Sequence, residues 1–220
     1  MNVLRHGIYM PLFLSLVVLA IALPIRPPLP VDETRYLAVA WDMWLKGNYL
    51  VPHLNGAPYS HKPPLLFWLM ASGWHLFGVN EWWPRLVAPL FGFGSLILTF
   101  NLGRTLWPES KETWPLAPIL LFGSLFWCVF ATLTMFDMLL AFFTLAAILS
   151  MVASVRRESW HGFILAGVAT GLGVLAKGPV ILLHVIPVAV SAPWWAPALR
   201  GSKPVFTKFR WYIGLGLTLI

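Results

Sequence analysis

The sequence predicts an all-α, multi-pass transmembrane protein with amphipathic interface helices in its first outer loop. Three observations carry this. Mean hydropathy is +0.76. Only 10% of residues are charged, where soluble domains carry about 25%. Apolar runs near the length of a membrane span recur along the chain, separated by short polar stretches. The net charge of +7 does not make this a nucleic-acid-binding protein, because the cations cluster between apolar runs as topology anchors do. The single cysteine, Cys128, lies in an apolar run and excludes a disulfide framework.

A first span is expected over residues 8–24. A cleaved signal peptide competes with it, since Arg5 precedes the run and Ala20-Ile21-Ala22 is a small-residue site. Retention is favoured because the rest of the chain is equally membrane-embedded. Residues 26–83 then form a long outer loop. Within it, 34–46 reads as a helix that Asp32 or Thr34 caps and Gly47 ends. Tyr36, Val39, Ala40, Met43 and Trp44 make one apolar stripe, and Asp42 and Lys46 are spaced to pair. Such a helix should lie in the membrane interface. Pro63-Pro64 opens a second apolar segment, 65–77, which Gly78 closes and which should dip among the other helices. Trp68, Trp74, Trp82 and Trp83 suit the headgroup level. Further spans are expected over 85–102, 114–133, 138–155, 161–176 and 180–199, with a last, incomplete one over 211–220.

Lysine and arginine placement orients these spans. With a cytoplasmic N-terminus, the inner side holds Arg5, Arg104, Lys111, Arg156, Arg157, Arg200, Lys203, Lys208 and Arg210. The outer side holds Arg26, Arg35, Lys46, Lys62, Arg85 and Lys177, together with Asp32, Glu33, Asp42, Glu81 and Asp137. Glu109, Glu112 and Glu158 fall inside. Acids and bases therefore mix on the outer face, where chemistry is expected.

Each candidate has a bland reading beside the functional one. Asp32 and Glu33 are either a helix cap with a solvated charge or a carboxylate that takes a proton from an attacking hydroxyl. Lys62 either snorkels at the interface or holds a phosphate, for which an ammonium is a compact point charge; Arg35 can add a bidentate contact. Asp137, at the boundary of two apolar spans, either caps the next helix or serves function, and function is favoured because a carboxylate there is costly. Lys177-Gly178-Pro179 is read first as a turn with a snorkelling lysine. His53, His61 and His75 lack tight metal-ligand spacing. Gly171-x-Gly173 is a packing feature of a membrane helix and lacks the strand that a phosphate loop requires. The helix count brings Asp32, Arg35, Lys62, Asp137 and Lys177 to one membrane face.

At Asp32-Glu33-Thr34-Arg35-Tyr36 and Tyr59-Ser60-His61-Lys62-Pro63-Pro64-Leu65 the sequence resembles the GT-C membrane glycosyltransferases that use polyprenyl-phosphate sugar donors. These include the bacterial aminoarabinose transferases that modify lipid A and the protein O-mannosyltransferases. Leu54-Asn55-Gly56-x-Pro58-Tyr59, Leu76-Phe77-Gly78-Val79-Asn80-Glu81, Phe136-Asp137-Met138 and Gly171-Leu172-Gly173-x-Leu175-x-Lys177-Gly178-Pro179 extend the likeness along the chain. The resemblance implies an inverting transferase of the cell inner membrane, acting at the extracytoplasmic face. Asp32 would be the catalytic carboxylate and Asp137 a second acid. Lys62 and Arg35 would bind the donor phosphate, and Glu33, Tyr59 and Lys177 would share the cavity. The donor would be a polyprenyl-phosphate-linked sugar, the acceptor a lipid, glycan or protein. Two departures stand out. His61 occupies a position where aminoarabinose transferases usually have a glutamate that takes part in a metal site, so the one cofactor candidate is a divalent metal such as zinc at His61. Family members are also longer, so the chain would be the N-terminal part of such an enzyme. The competing readings are a transporter or flippase-like module and a catalytically incomplete fragment that binds lipid phosphate.

Overall fold

The computed structural model describes residues 7–157, 159–200 and 216. The expected span over 211–220 lies outside them, as do Arg5, Glu158, Lys203, Lys208 and Arg210. The fold is a helical bundle with two helices and a short hairpin inserted after its first helix. Its order is α1 (Tyr9–Ile25), α2 (Asp32–Lys46), β1 (His53–Leu54), β2 (Ala57–Pro58), α3 (Leu65–Phe77), α4 (Trp82–Leu106), α5 (Leu116–Gly123), α6 (Leu125–Phe130), α7 (Phe136–Arg157), α8 (His161–Lys177), α9 (Val180–Val190) and α10 (Ala192–Arg200).

Among the described residues, α4 and α7 are long and apolar enough by themselves to cross a bilayer. They run parallel. Phe91 of α4 meets Phe142 of α7 edge-on at 5.1 Å, and Arg156 near the end of α7 donates to the carbonyl of Thr105 near the end of α4. α8 runs back along α7 and returns Lys177 to Asp137 at the start of α7. α1 and α8 are each 17 residues, about 26 Å at 1.5 Å per residue, at the short end for a span. Hydroxyls inside the bundle bond to their own helix: Ser95 to Phe91, Thr99 to Ser95 and Thr170 to Ala166. Each of these three hydroxyls is thereby satisfied without water or lipid, whereas the buried Thr144 hydroxyl of α7 has no partner among the described residues.

Two expected spans are broken. Residues 114–133 form α5 and α6, separated at Ser124, whose extended backbone (φ −72°, ψ 121°) ends one helix and starts the next. Gly123-Ser124 is a weak helix-forming pair, and an apolar count does not register it. Residues 180–199 bend by 61° between α9 and α10. Pro193, just past the bend, cannot donate the N–H that would continue the ladder.

The insert after α1 also departs from expectation. α2 begins at Asp32, with Val31 at the cap position and no side-chain cap, so neither Asp32 nor Thr34 caps it. Gly47, at φ 64°, ends it in the left-handed conformation that costs a glycine little. The stripe of Tyr36, Val39, Ala40 and Met43 is buried against α3, α4 and α7 rather than facing lipid. Asp42 and Lys46 pair at 2.7 Å. α3 is buried among its neighbours through Leu66, Phe67 and Met70. Trp74 is buried and packs edge-on against Trp41 and Trp44, while Trp68 and Trp83 donate to the carbonyls of Tyr49 and Leu69 at 2.6 and 2.9 Å. Of the four tryptophans expected at the headgroups, only Trp82 is largely exposed; the other three fasten the insert together.

α3 and α4 meet at Gly73, where an added Cβ would overlap the Trp83 indole, whereas a Cβ at Gly171 would meet nothing within 4 Å. Overpacking a filled contact costs about 1–3 kcal/mol. Gly73→Ala is therefore expected to lower the thermal unfolding midpoint in detergent, and Gly171→Ala to leave it level or raise it.

Candidate active site at the loop end of the bundle

Four local features place the polar side chains. The Asn55-Gly56 dipeptide adopts positive φ at both positions (53° and 83°), the geometry that closes a two-residue hairpin. It pairs His53 with Pro58 and Leu54 with Ala57, and Tyr59 N–H continues the pairing to the Pro52 carbonyl at 2.7 Å. That hairpin delivers Tyr59, His61 and Lys62 to the start of α3. Pro63-Pro64 then turns the chain into the helix. Asp32, Glu33, Arg35 and Tyr36 occupy the first turns of α2, and Phe136 and Asp137 open α7.

Phe136 is the common neighbour. Its ring is buried. It lies edge-on to Tyr36 at 4.9 Å and to Phe67 at 5.5 Å. The Lys62 ammonium sits over its face, 5.8 Å from the centroid. Such a contact is worth about 0.5–1 kcal/mol, enough to orient the lysine without neutralising it. Among the described residues no carboxylate lies within ion-pair distance of Lys62. One residue further on, Asp137 binds Lys177 at 2.6 Å. That pairing replaces the snorkelling role expected for Lys177 and the capping role open to Asp137.

Asp32 is half exposed. Arg35 binds its Oδ1, and the Tyr36 hydroxyl donates to the same oxygen at 3.3 Å. Among the described residues Oδ2 has no partner. Burial, together with the neighbouring Asp32 and Tyr59, pushes the Tyr36 phenol up to about 12, so it remains a protonated donor at any physiological pH. The Tyr59 hydroxyl is buried with no hydrogen-bond partner among the described residues. Burial raises its pKa and Asp32 adds to the rise, against the pull of Arg35.

Glu33 faces the other way. It does not share the cavity expected of it, because it is fully buried. Arg26 binds both its oxygens; Leu29 N–H donates to Oε2 at 2.8 Å and Thr134 N–H to Oε1 at 2.7 Å. Burial pushes its pKa up, yet the Arg26 guanidinium and the two backbone donors outweigh that and hold it below 4.5. Arg26 also donates to Thr132 O at 2.8 Å, and Arg85 donates to Arg26 O. In the sequence Arg26 and Arg85 stand only among the outer-side cations, with no role that sets them apart. Only the burial of Glu33 shows that an arginine had to accompany it.

His61 is exposed beside Tyr59, with ring centres 5.4 Å apart. Zinc sites need three or four protein ligands, and among the described residues no group of three histidines, cysteines or acids comes together. His61 therefore does not fit a metal centre built by these residues, and no step is assigned to a metal. A cavity of about 670 Å³ opens on the far side of α2, between Trp41, Trp74, Asn80 and Arg85; none of the residues expected at the site lines it.

The sequence matches the profile of the dolichyl-phosphate-mannose-protein mannosyltransferase family over residues 12–220. The chain belongs to this family. It is 31% identical over 237 aligned positions to undecaprenyl phosphate-alpha-4-amino-4-deoxy-L-arabinose arabinosyl transferase 2 of Pseudomonas fluorescens, covering 91% of this chain and 42% of that protein. It is 35% identical over 170 positions to arabinosyl transferase 1 of the same organism, covering 74% and 29%. Among solved structures it is similar to ArnT from Cupriavidus metallidurans bound to undecaprenyl phosphate, with a TM-score of 0.73, 24% identity and 96% of this chain covered. The apo form of that protein gives a TM-score of 0.70. The chain shares their multi-pass helical fold and spans 39% of the ArnT chain.

The depressed Glu33 pKa makes a pH prediction. A carboxyl that is more acidic folded than unfolded adds stability above its unfolded pKa and loses it as pH falls through the folded value. The thermal midpoint should fall as pH drops below 4.5. In Glu33→Gln that component of the fall should be missing, although the variant starts lower.

Proposed function

We propose that this chain forms the catalytic-loop part of a membrane glycosyltransferase, which moves a sugar from a polyprenyl-phosphate donor to an acceptor at the extracytoplasmic face of the cell inner membrane. The observation that carries this is the meeting of Asp32 with Arg35, Lys62, which has no carboxylate partner among the described residues, and the Asp137–Lys177 pair around one buried ring, Phe136. Family membership supports it, as do the donor named for the similar arabinosyl transferases and the undecaprenyl phosphate bound to the similar structure. Those names give the donor class and name no acceptor, so the acceptor is taken as a lipid, glycan or protein hydroxyl. For the orientation, the opposite end of the bundle carries Arg104, Lys111, Arg156 and Arg157, the pattern of a cytoplasmic side. A transporter would place its charges along the helices at mid-depth; these collect at one end.

In this reading Asp32 Oδ2 takes the proton of the acceptor hydroxyl. The acceptor oxygen attacks the anomeric carbon from the face opposite the phosphate. The bond from that carbon to the phosphate oxygen breaks, and its electron pair leaves on the polyprenyl phosphate. Lys62 and Arg35 meet the charge that builds there. Tyr36 fixes the carboxylate, and the Asp137–Lys177 pair forms the facing polar wall.

Asp32→Asn in the full-length enzyme should lower transfer by about 10²–10⁴-fold, the usual worth of a positioned base, with donor affinity changed only a few-fold. Full activity in that variant would remove the base assignment. Lys62→Ala should weaken polyprenyl-phosphate binding by about tenfold or more, since a charged hydrogen bond is worth roughly 1.5–3 kcal/mol. Unchanged binding would remove the phosphate role.

A further inference from the structure

We infer that Glu33 is a positioning residue: with Arg26 it clamps the first turn of α2 to the turn before α7, and so sets the distance between Asp32 and the Asp137–Lys177 pair. The inference rests on the proposed role of Asp32. Glu33 and Asp32 are adjacent, so whatever fixes one carboxylate fixes the backbone that carries the other. Glu33 reaches across 101 positions to the Thr134 amide, three residues before Asp137. Arg26 seals the same junction by binding Glu33 and the Thr132 carbonyl, and Arg85 at the start of α4 holds the Arg26 carbonyl. Four chain segments thus converge on one ion pair. A carboxylate is the group that fits, because all four of its contacts are donors. A glutamine would turn an NH₂ toward two of them and leave the part-buried Arg26 charge uncompensated.

Two variants separate positioning from folding. Glu33→Gln removes the charge. Arg26→Lys keeps it but loses the fork that spans Glu33 and Thr132. Both are made in the full-length enzyme, with the polyprenyl-phosphate sugar as donor. In folded Arg26→Lys protein, kcat should fall by about 100-fold, the scale of an ångström-sized misplacement, with donor KM within about threefold. Glu33→Gln should fall at least as far, and Glu33→Asp should recover part of the loss. Hydrogen–deuterium exchange reads the clamp without turnover. Peptides spanning 26–36 and 130–138 should exchange faster in both variants, while those from α8 and α9 stay unchanged.

Unchanged exchange at 130–138 overturns the clamp, whatever the activity. Faster exchange with normal kcat overturns its positioning role. A donor KM that rises as steeply as kcat falls makes Glu33 a binding group and overturns it as well. If the unmodified enzyme transfers no sugar, the proposed function fails, and exchange alone decides the clamp.

Discussion

A carboxylate with no exposure to water must be neutralised and hydrogen-bonded where it sits, and Glu33 imposes that requirement on the whole loop end of the molecule. Arg26 has to leave α1 in the direction of Glu33. The backbone amides of Leu29 and Thr134 have to point inward, and the turn between α6 and α7 has to stop where it does. Once those groups are in place, Asp32 has little freedom: the same helical turn that buries Glu33 swings its neighbour out to a half-exposed position beside Arg35 and Tyr36. A largely buried ion pair thereby determines where a more exposed one stands.

Aromatic packing converts that junction into a site. Phe136 fills the space between α2, α3 and α7, with edge-on contacts to Tyr36 and Phe67. Its remaining face supports Lys62, whose position is set from the other side by the Asn55-Gly56 hairpin and the Pro63-Pro64 turn. The parallel course of α4 and α7, and the return of α8, carry Arg85, Asp137 and Lys177 to the same end. The result joins helix starts with a lysine, Lys62, that has no carboxylate partner among the described residues. That combination suits a phosphate that arrives from the lipid and leaves carrying more charge.

Much of this was legible in the sequence. Hydropathy marked α4 and α7, and the alternation of the expected spans put Asp32, Arg35, Lys62, Asp137 and Lys177 at one face, because a helix that crosses must return. Gly47 and Gly78 marked helix ends, and both adopt positive φ. What periodicity could not convey was which neighbour an apolar side chain meets. The stripe on α2 and the indoles of Trp68, Trp74 and Trp83 have the composition of an interface belt, yet they pack against protein. Asp32 and Glu33 read alike in one dimension. They differ because adjacent helical positions point about 100° apart, one toward water and the other into the junction. The breaks at Ser124 and at Ser191 were hidden because a hydropathy window averages over them. Lys177 was read as a turn residue since its partner lies 40 positions away.

The most direct test of the central claim, that the loop end and not the opposite end receives the donor phosphate, is photoaffinity labelling of the full-length enzyme. The probe is a polyprenyl phosphate that carries a small diazirine beside the phosphorus. Cross-links should map to peptides containing Asp32–Tyr36, Tyr59–Lys62 or Thr134–Asp137, and an excess of unlabelled polyprenyl phosphate should abolish them. Competable cross-links concentrated around Arg104–Lys111 and Arg156–Arg157 would contradict the account.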